Sequence, residues 1–180
     1  MGSWLGVMVN QIKPLGYDDQ DIGLMGLASV VSQCLMSVLF GYISDRLKHK
    51  KLTILCLLSV SACGFTWLML MCTGTVSHSK YTLYLAIIIA TSVSFSCCPL
   101  FFEMTVELAY PVNEGAVGGF LTAVYNFVGI VFLFLFFVPS LTSGNYIWIS
   151  YTLVGSTIIA IPVTAFVQEK YNRSNADNLS

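Results

Sequence analysis

Charge is what this sequence has least of. Asp, Glu, Lys and Arg make up 9% of its 180 residues, against about 25% in an ordinary soluble domain. A net charge of −1 leaves no basic footprint, so no nucleic-acid partner is expected. Histidine occurs only twice, and no Cys-x-x-Cys pair stands beside a histidine, which argues against a metal or redox centre. No nucleophile, base and acid gather in a catalytic pattern, so neither an enzyme nor a cofactor is expected. A separate soluble domain is also missing, because the longest polar stretch is the tail Gln168–Ser180. The first residues lack the basic region and cleavage site of a signal peptide.

What remains is apolar. Such residues make up 56% of the chain, and the mean hydropathy is +0.79. Five runs carry no Asp, Glu, Lys or Arg: Ile22–Ile43, Leu52–Cys72, Tyr81–Phe102, Ala116–Val138 and Tyr146–Val167. As helices at about 1.5 Å per residue, each covers a hydrocarbon core of about 30 Å. The lipid bilayer is therefore the solvent. An all-α, multi-pass bundle is the predicted fold, since helices satisfy their own backbone in lipid. The six cysteines fall within the runs and are expected to pack as small apolar residues.

Basic residues orient the bundle. Arg46, Lys48, Lys50 and Lys51 lie in the first connection, Ser44–Lys51, and Lys170 and Arg173 lie in the tail. Only Lys13 and Lys80 lie on the other side. The first connection, Tyr110–Gly115 and the tail are thus expected to be cytoplasmic. The N-terminus, Thr73–Lys80 and Pro139–Asn145 then face outside or the lumen. His49 and His78 both fall in connections. Met1–Ile12 is mostly apolar and ends at Pro14, Gly16 and the acidic Asp18–Asp21 run. It reads as the end of a sixth helix, so a fragment of a longer carrier or a truncated product is expected.

Two clusters carry most of the remaining information. The first is Gly41, Asp45, Arg46, Lys50 and Lys51 at the inner end of the first span. Glycine permits close backbone approach, and an acid beside bases can make charge-assisted contacts with helix ends. The second runs from Pro99 to Gly115 and holds Glu103 and Glu107, four apart and so on one helix face. Pro99 is expected to kink that helix about one turn earlier. The plain role for these acids is ion pairing with Arg46 or Lys50; the functional alternative is proton coupling or gating. Within the spans, Ser29, Gln33 and Ser37 share one face, Ser96 lies in the third span, and Thr122, Tyr125 and Asn126 lie in the fourth. Hydroxyls in membrane helices commonly bond to their own backbone. An amide at mid-membrane needs partners, which marks Gln33 and Asn126. Gly115-x-x-x-Gly119 could admit another helix closely.

The spacing Gly41-x-x-x-Asp45-Arg46 with Lys50 and Lys51 resembles the signature of the major facilitator superfamily, Gly-x-x-x-Asp-Arg-x-Gly-Arg-Arg/Lys. Lys48 stands where the second glycine would be. The copy of that signature after helix eight fits best, because four spans follow it. The five runs would then be helices eight to twelve, and residues 1–12 the end of helix seven: the C-terminal half of a carrier. Pro99-Leu-Phe-Phe-Glu103-x-x-x-Glu107-x-x-Tyr110-Pro111-x-x-Glu114-Gly115 resembles the end of helix ten in solute carrier family 49. Pro14-Leu-Gly-Tyr17, the Trp67 region and Asn126-Phe-Val-Gly129 look most like that family's renal-carcinoma branch. The resemblance implies transport of a small organic solute, with haem, choline or a vitamin-B6-type compound as family cargoes and a proton as coupling ion. It implies a site lined by Asn126, Gln33 and Ser96, and a charge network of Gly41, Asp45, Arg46, Lys50, Lys51, Glu103 and Glu107 that holds one closed state. It further implies an N-terminal six-helix half as partner, and lysosomal membrane ahead of plasma membrane. The alternative is a truncated, non-transporting membrane protein that pairs with other subunits.

An epitope placed after Ser180 is expected to stain only when the cytoplasmic side is accessible. Labelling from the outer or lumenal face, or glycosylation at Asn172, would reverse the orientation.

Overall fold

A computed structural model describes residues 8–13, 16–47, 50–76, 79–135 and 146–167. Residues 8–12 form a short helical segment. Five long helices follow: α1 (Asp19–Leu47), α2 (Lys50–Cys72), α3 (Lys80–Ala109), α4 (Glu114–Phe134) and α5 (Ile147–Phe166). All five are long and apolar enough to cross a membrane. Residues 1–7, Lys48, His49, His78, Val138 and the tail, all named above, lie outside the described residues.

One boundary differs from the sequence reading: α1 runs on through Ser44, Asp45 and Arg46, expected in a connection, to Leu47. α3 runs beyond its uncharged run through Glu103 and Glu107 to Ala109, in keeping with the one helix face expected for the two acids. Both clusters expected at span edges are therefore helical. Lack of charge marks where the hydrocarbon ends, but a helix can continue into the headgroup region, where water and lipid solvate its side chains. α3 also continues through Pro99, although proline removes one backbone donor.

Local signals set the ends. α2 stops where Gly74 takes φ +73°, a left-handed conformation that glycine adopts without a Cβ clash. The Asn113 side chain accepts from the Gly115 backbone N–H at 2.8 Å and starts α4. At the start of α3, the Ser79 backbone N–H donates to Thr82 Oγ1 at 2.9 Å.

The contacts fix the directions. Lys80 at the start of α3 pairs with Asp21 at the start of α1 at 2.7 Å, so these helices run parallel. Lys50 at the start of α2 pairs with Glu103 near the inner end of α3 at 3.2 Å, so α2 runs the opposite way. Lys51 Nζ donates to the Ala165 carbonyl at 2.7 Å, which places the end of α5 beside the start of α2. That cation meets the unsatisfied carbonyls of a helix C-terminus, where positive charge is favoured.

α3 is the central helix: α1 and α2 both pack along it, and α5 packs on α2. Two apolar layers result. The outer joins Ile22 and Met25 of α1, Phe65, Leu68 and Met71 of α2, Leu83, Ile87 and Ala90 of α3, and Ile149 and Leu153 of α5. The inner joins Ile54, Leu57 and Leu58 of α2 to Val93, Cys97, Leu100 and Met104 of α3. Between them, α2 and α3 approach at Gly64. A Cβ there would lie 2.9 Å from the Ala90 Cβ and 3.0 Å from its Cα. One turn along α2, Ser61 Oγ donates to the Ala90 carbonyl at 3.3 Å. Small residues let membrane helices come this close.

α4 stands apart. It touches α3 lightly, and Val117 is its buried residue. In water such an exposed apolar helix would be unstable. In lipid its side chains meet a solvent as apolar as themselves.

Gly64→Ala is expected to destabilise the bundle by about 1–3 kcal/mol through overpacking against the Ala90 backbone. Gly155→Ala, where a Cβ would meet nothing within 4 Å, should be neutral or slightly stabilising. Thermal denaturation of both variants in detergent measures the difference, and equal midpoints would contradict the close approach.

Candidate functional site

The inner ends of α1, α2 and α3 bring part of the charge cluster together. Lys50 and Glu103 form the ion pair, with Glu103 about half exposed. Of the two partners expected for the acids, Lys50 is thus the one used by Glu103. Arg46 instead turns back along α1: Nε and Nη2 donate to Tyr42 Oη at 3.1 and 2.8 Å, and the guanidinium carbon lies 5.3 Å from that ring's centroid. Lys51 caps α5. Glu107 is buried. Asp45 is exposed and makes no ion pair with any described residue. Gly41 does not serve a close approach here, since a Cβ on it would meet nothing within 4 Å. The same holds for Gly118 and Gly119, and at Gly115 the only neighbour is its own cap residue, Asn113. So the small-residue face of α4 admits no other helix among the described residues.

The mid-membrane candidates all fall in the middle part of their helices. Asp21 contacts both Lys80 and Tyr84, the second through a 3.2 Å bond from Tyr84 Oη to the Asp21 carbonyl. Gln33 lies twelve residues beyond Asp21, as Ser92 and Ser96 lie twelve beyond Lys80 and Tyr84. On parallel helices this is about 18 Å of rise for each, so Gln33 comes level with residues 92–96. Asn126 lies twelve residues into α4 counted from the opposite end of the bundle, about 18 Å from that end, which puts it nearer the level of Ser96 than that of Gln33.

Their hydrogen bonding separates them. Ser96 Oγ donates to the Ser92 carbonyl at 2.8 Å, and Asn126 Nδ2 donates to the Thr122 carbonyl at 2.9 Å. Ser29, Thr91, Thr105 and Thr122 make the same four-residue back-bond. Gln33 differs. It is 7% exposed, and its amide bonds to none of the described residues. Asn126 is exposed and still has donor and acceptor capacity left.

Several contacts were missed by sequence reasoning. On the outer side, Lys13 pairs with Asp19 at 2.9 Å, and the buried Gln11 amide donates to Ser150 Oγ and, at 3.7 Å, to Cys72 Sγ. These tie the 8–12 segment to α1, α2 and α5. The acidic run at 18–21 was a visible signal for the first pair; nothing in the sequence pointed to the second. Ser44 was missed too, while Ser92 was one of four hydroxyl residues (Thr91, Ser92, Ser94 and Ser96) that the sequence offered in the third span; the buried hydroxyls of Ser44 and Ser92 have no partner among the described residues.

Parallel and antiparallel apolar helices around a central one, with charges at the ends and neutral polar groups at mid-depth, define a multi-pass membrane bundle. A sequence model of the Major Facilitator Superfamily matches residues 1–178, and the chain belongs to that superfamily. Among individual relatives, it is 32% identical over 179 residues to a protein of Xenopus tropicalis called "Solute carrier family 49 member 4 homolog", covering 97% of this chain and 38% of the relative. An "Uncharacterized MFS-type transporter C09D4.1" of Caenorhabditis elegans is 30% identical, over 97% of this chain and 29% of its own length. "Choline/ethanolamine transporter FLVCR2" of Homo sapiens is 27% identical, over 96% of this chain and 32% of its own length. The chain thus spans about two fifths or less of these relatives.

Charge reversal at either Lys50 or Glu103 is expected to lower thermal stability in detergent by up to about 1 kcal/mol, since the pair is only partly shielded. Lys50→Glu combined with Glu103→Lys should recover most of the loss. A double swap no better than the sum of the singles would mean the pair is not energetically coupled.

Proposed function

We propose that the protein is part of a secondary carrier that moves a small organic solute across a membrane, and is not an enzyme. Two six-helix halves would rock about a central site near the midplane, with this chain as the C-terminal half and an N-terminal half as its partner. The observation that carries the reading is the set of neutral polar groups away from the helix ends in a bundle of this superfamily: Gln33, Ser96 and Asn126 lie in the middle part of three helices. Polar groups at that depth are costly unless matched, and a polar solute would match them. Choline and ethanolamine enter as cargo candidates through the relatives' name; haem and vitamin-B6-type compounds enter through the family resemblance.

The inner cluster has a separate role in this reading. Asp45 is exposed near the end of α1 and makes no ion pair with any described residue, while Lys50 and Glu103 are paired with each other. Asp45 would therefore meet a helix end or base of the other half when the inner side closes, and Lys50, Lys51, Glu103 and Glu107 would hold the α1–α3 ends in place. Glu103 or Glu107 is also where a coupling proton would act. A lysosomal setting is favoured over the plasma membrane by the resemblance.

Cells expressing the full-length protein should show saturable uptake of radiolabelled choline, ethanolamine or pyridoxine above vector controls. Asn126→Leu should raise the apparent KM about threefold to tenfold, because one hydrogen bond is worth about 0.5–1.5 kcal/mol and more if the solute group is left unpaired. Phe127→Leu, one position round the helix, should leave KM unchanged. Absence of uptake for all three solutes would count against these cargoes, and an unchanged KM would assign Asn126 to packing.

A further inference from the structure

Ser92 departs from the hydroxyls around it. Thr91 bonds to the Ile87 carbonyl at 2.7 Å and Ser96 to the Ser92 carbonyl at 2.8 Å, each within α3. The Ser92 hydroxyl makes no such bond: it is buried, at 1% exposure, with no partner among the described residues. Gln33, at the same depth on the neighbouring α1, is also more than nine-tenths buried and bonds to none of the described residues. A buried polar group without a partner costs free energy, and in hydrocarbon there is no solvent to relieve it. A sealed, unpaired hydroxyl on α3 beside an unpaired amide on a buried residue of α1, on helices that pack along each other, is better explained by a ligand than by packing alone.

The chemistry of that ligand group follows from what surrounds the layer. Every charged residue described in α1 and α3 sits toward a helix end: Asp19, Asp21, Asp45 and Arg46 on α1, and Lys80, Glu103 and Glu107 on α3. Glu103 is seven residues beyond Ser96, about 10 Å along the axis. An amide and a hydroxyl each donate and accept. They suit a neutral group that does both, and they do not neutralise an ion.

We infer that Gln33 and Ser92 bind the neutral hydrogen-bonding group of the transported solute, such as an alcohol hydroxyl, and that Ser92 rather than Ser96 is the hydroxyl contact on α3. This rests on the transport reading and deepens it. Any charge on the solute is then recognised elsewhere, and Gln33 and Ser92 set selectivity for the hydroxylated solute over its deoxy analogue.

The test uses full-length protein in cells, with choline as the transported probe and its deoxy analogue ethyltrimethylammonium as competitor. The parent should prefer choline. Ser92→Ala and Gln33→Leu should each raise the KM for choline roughly twofold to tenfold and leave ethyltrimethylammonium inhibition nearly unchanged, so that the preference collapses. Ser92→Thr should retain it, and Thr105→Ala, nearer the Glu103 end of the same helix, should not disturb it. A merely structural role would weaken both compounds alike. Parent uptake with the preference intact in both variants at matched surface level would overturn the inference and leave the carrier reading standing; the two groups would then be water-filled only. If the parent takes up no choline, the same variants are run with pyridoxine against 4-deoxypyridoxine. Failure of the parent on both probes would overturn the inference together with the cargo reading.

Discussion

A hydrocarbon surround offers a backbone amide no partner except its own helix, and the rest of this structure depends on that constraint. It makes each crossing a single uninterrupted helix. It drives Asp, Glu, Lys and Arg to the ends, where they pair across helices, as Lys50 does with Glu103 and Lys80 with Asp21. It makes serine and threonine turn inward to their own carbonyls, as Ser29 and Thr105 do. Against that uniform behaviour, the few polar groups that make no such bond become informative.

With no water to expel, association between helices relies on fit. The tightest point is Gly64 against Ala90, and there α3 becomes the central helix with α2 along one side and α1 along another. The outer and inner apolar layers then close above and below. α4 reaches the outer layer through Phe132, whose ring centroid lies 5.9 Å from that of Trp148, and is otherwise largely exposed. Its open glycine positions and the exposed Asn126 are compatible with lipid on one side and with the carrier's other half on the other, as proposed. A chain that spans about two fifths of its relatives would leave such a surface for the remainder to cover.

The two ends of the bundle differ in kind. At the end where α1 and α3 begin, pairs from Lys13 and Lys80 to the first turn of α1 join the bond from Gln11 to Ser150 in tying several segments to one another. At the other end, Lys50 and Lys51 secure α2 to α3 and α5, while Asp45 near the end of α1 makes no ion pair with any described residue. Its position suits the proposed part in closing the inner side, because an acid already paired within its own bundle has less to gain from another positive end.

The amino-acid order by itself determined the solvent, the number of crossings visible in this chain and the superfamily. These depend on composition over some twenty residues at a time and on short spacings such as Gly41 to Asp45, which survive any detail of packing. It also marked Gln33 and Asn126, because an amide within an apolar run is conspicuous wherever it points. Only the tertiary structure decided which polar groups are spent and which are open. Ser92 and Ser96 are the same residue type one turn apart, yet the Ser96 hydroxyl is bonded and the Ser92 hydroxyl has no partner among the described residues. Lys50 and Lys51 are neighbours, yet one meets a carboxylate and the other a helix terminus. Such choices depend on side-chain direction and on which helix lies alongside, and neither is written in the order of residues along one helix.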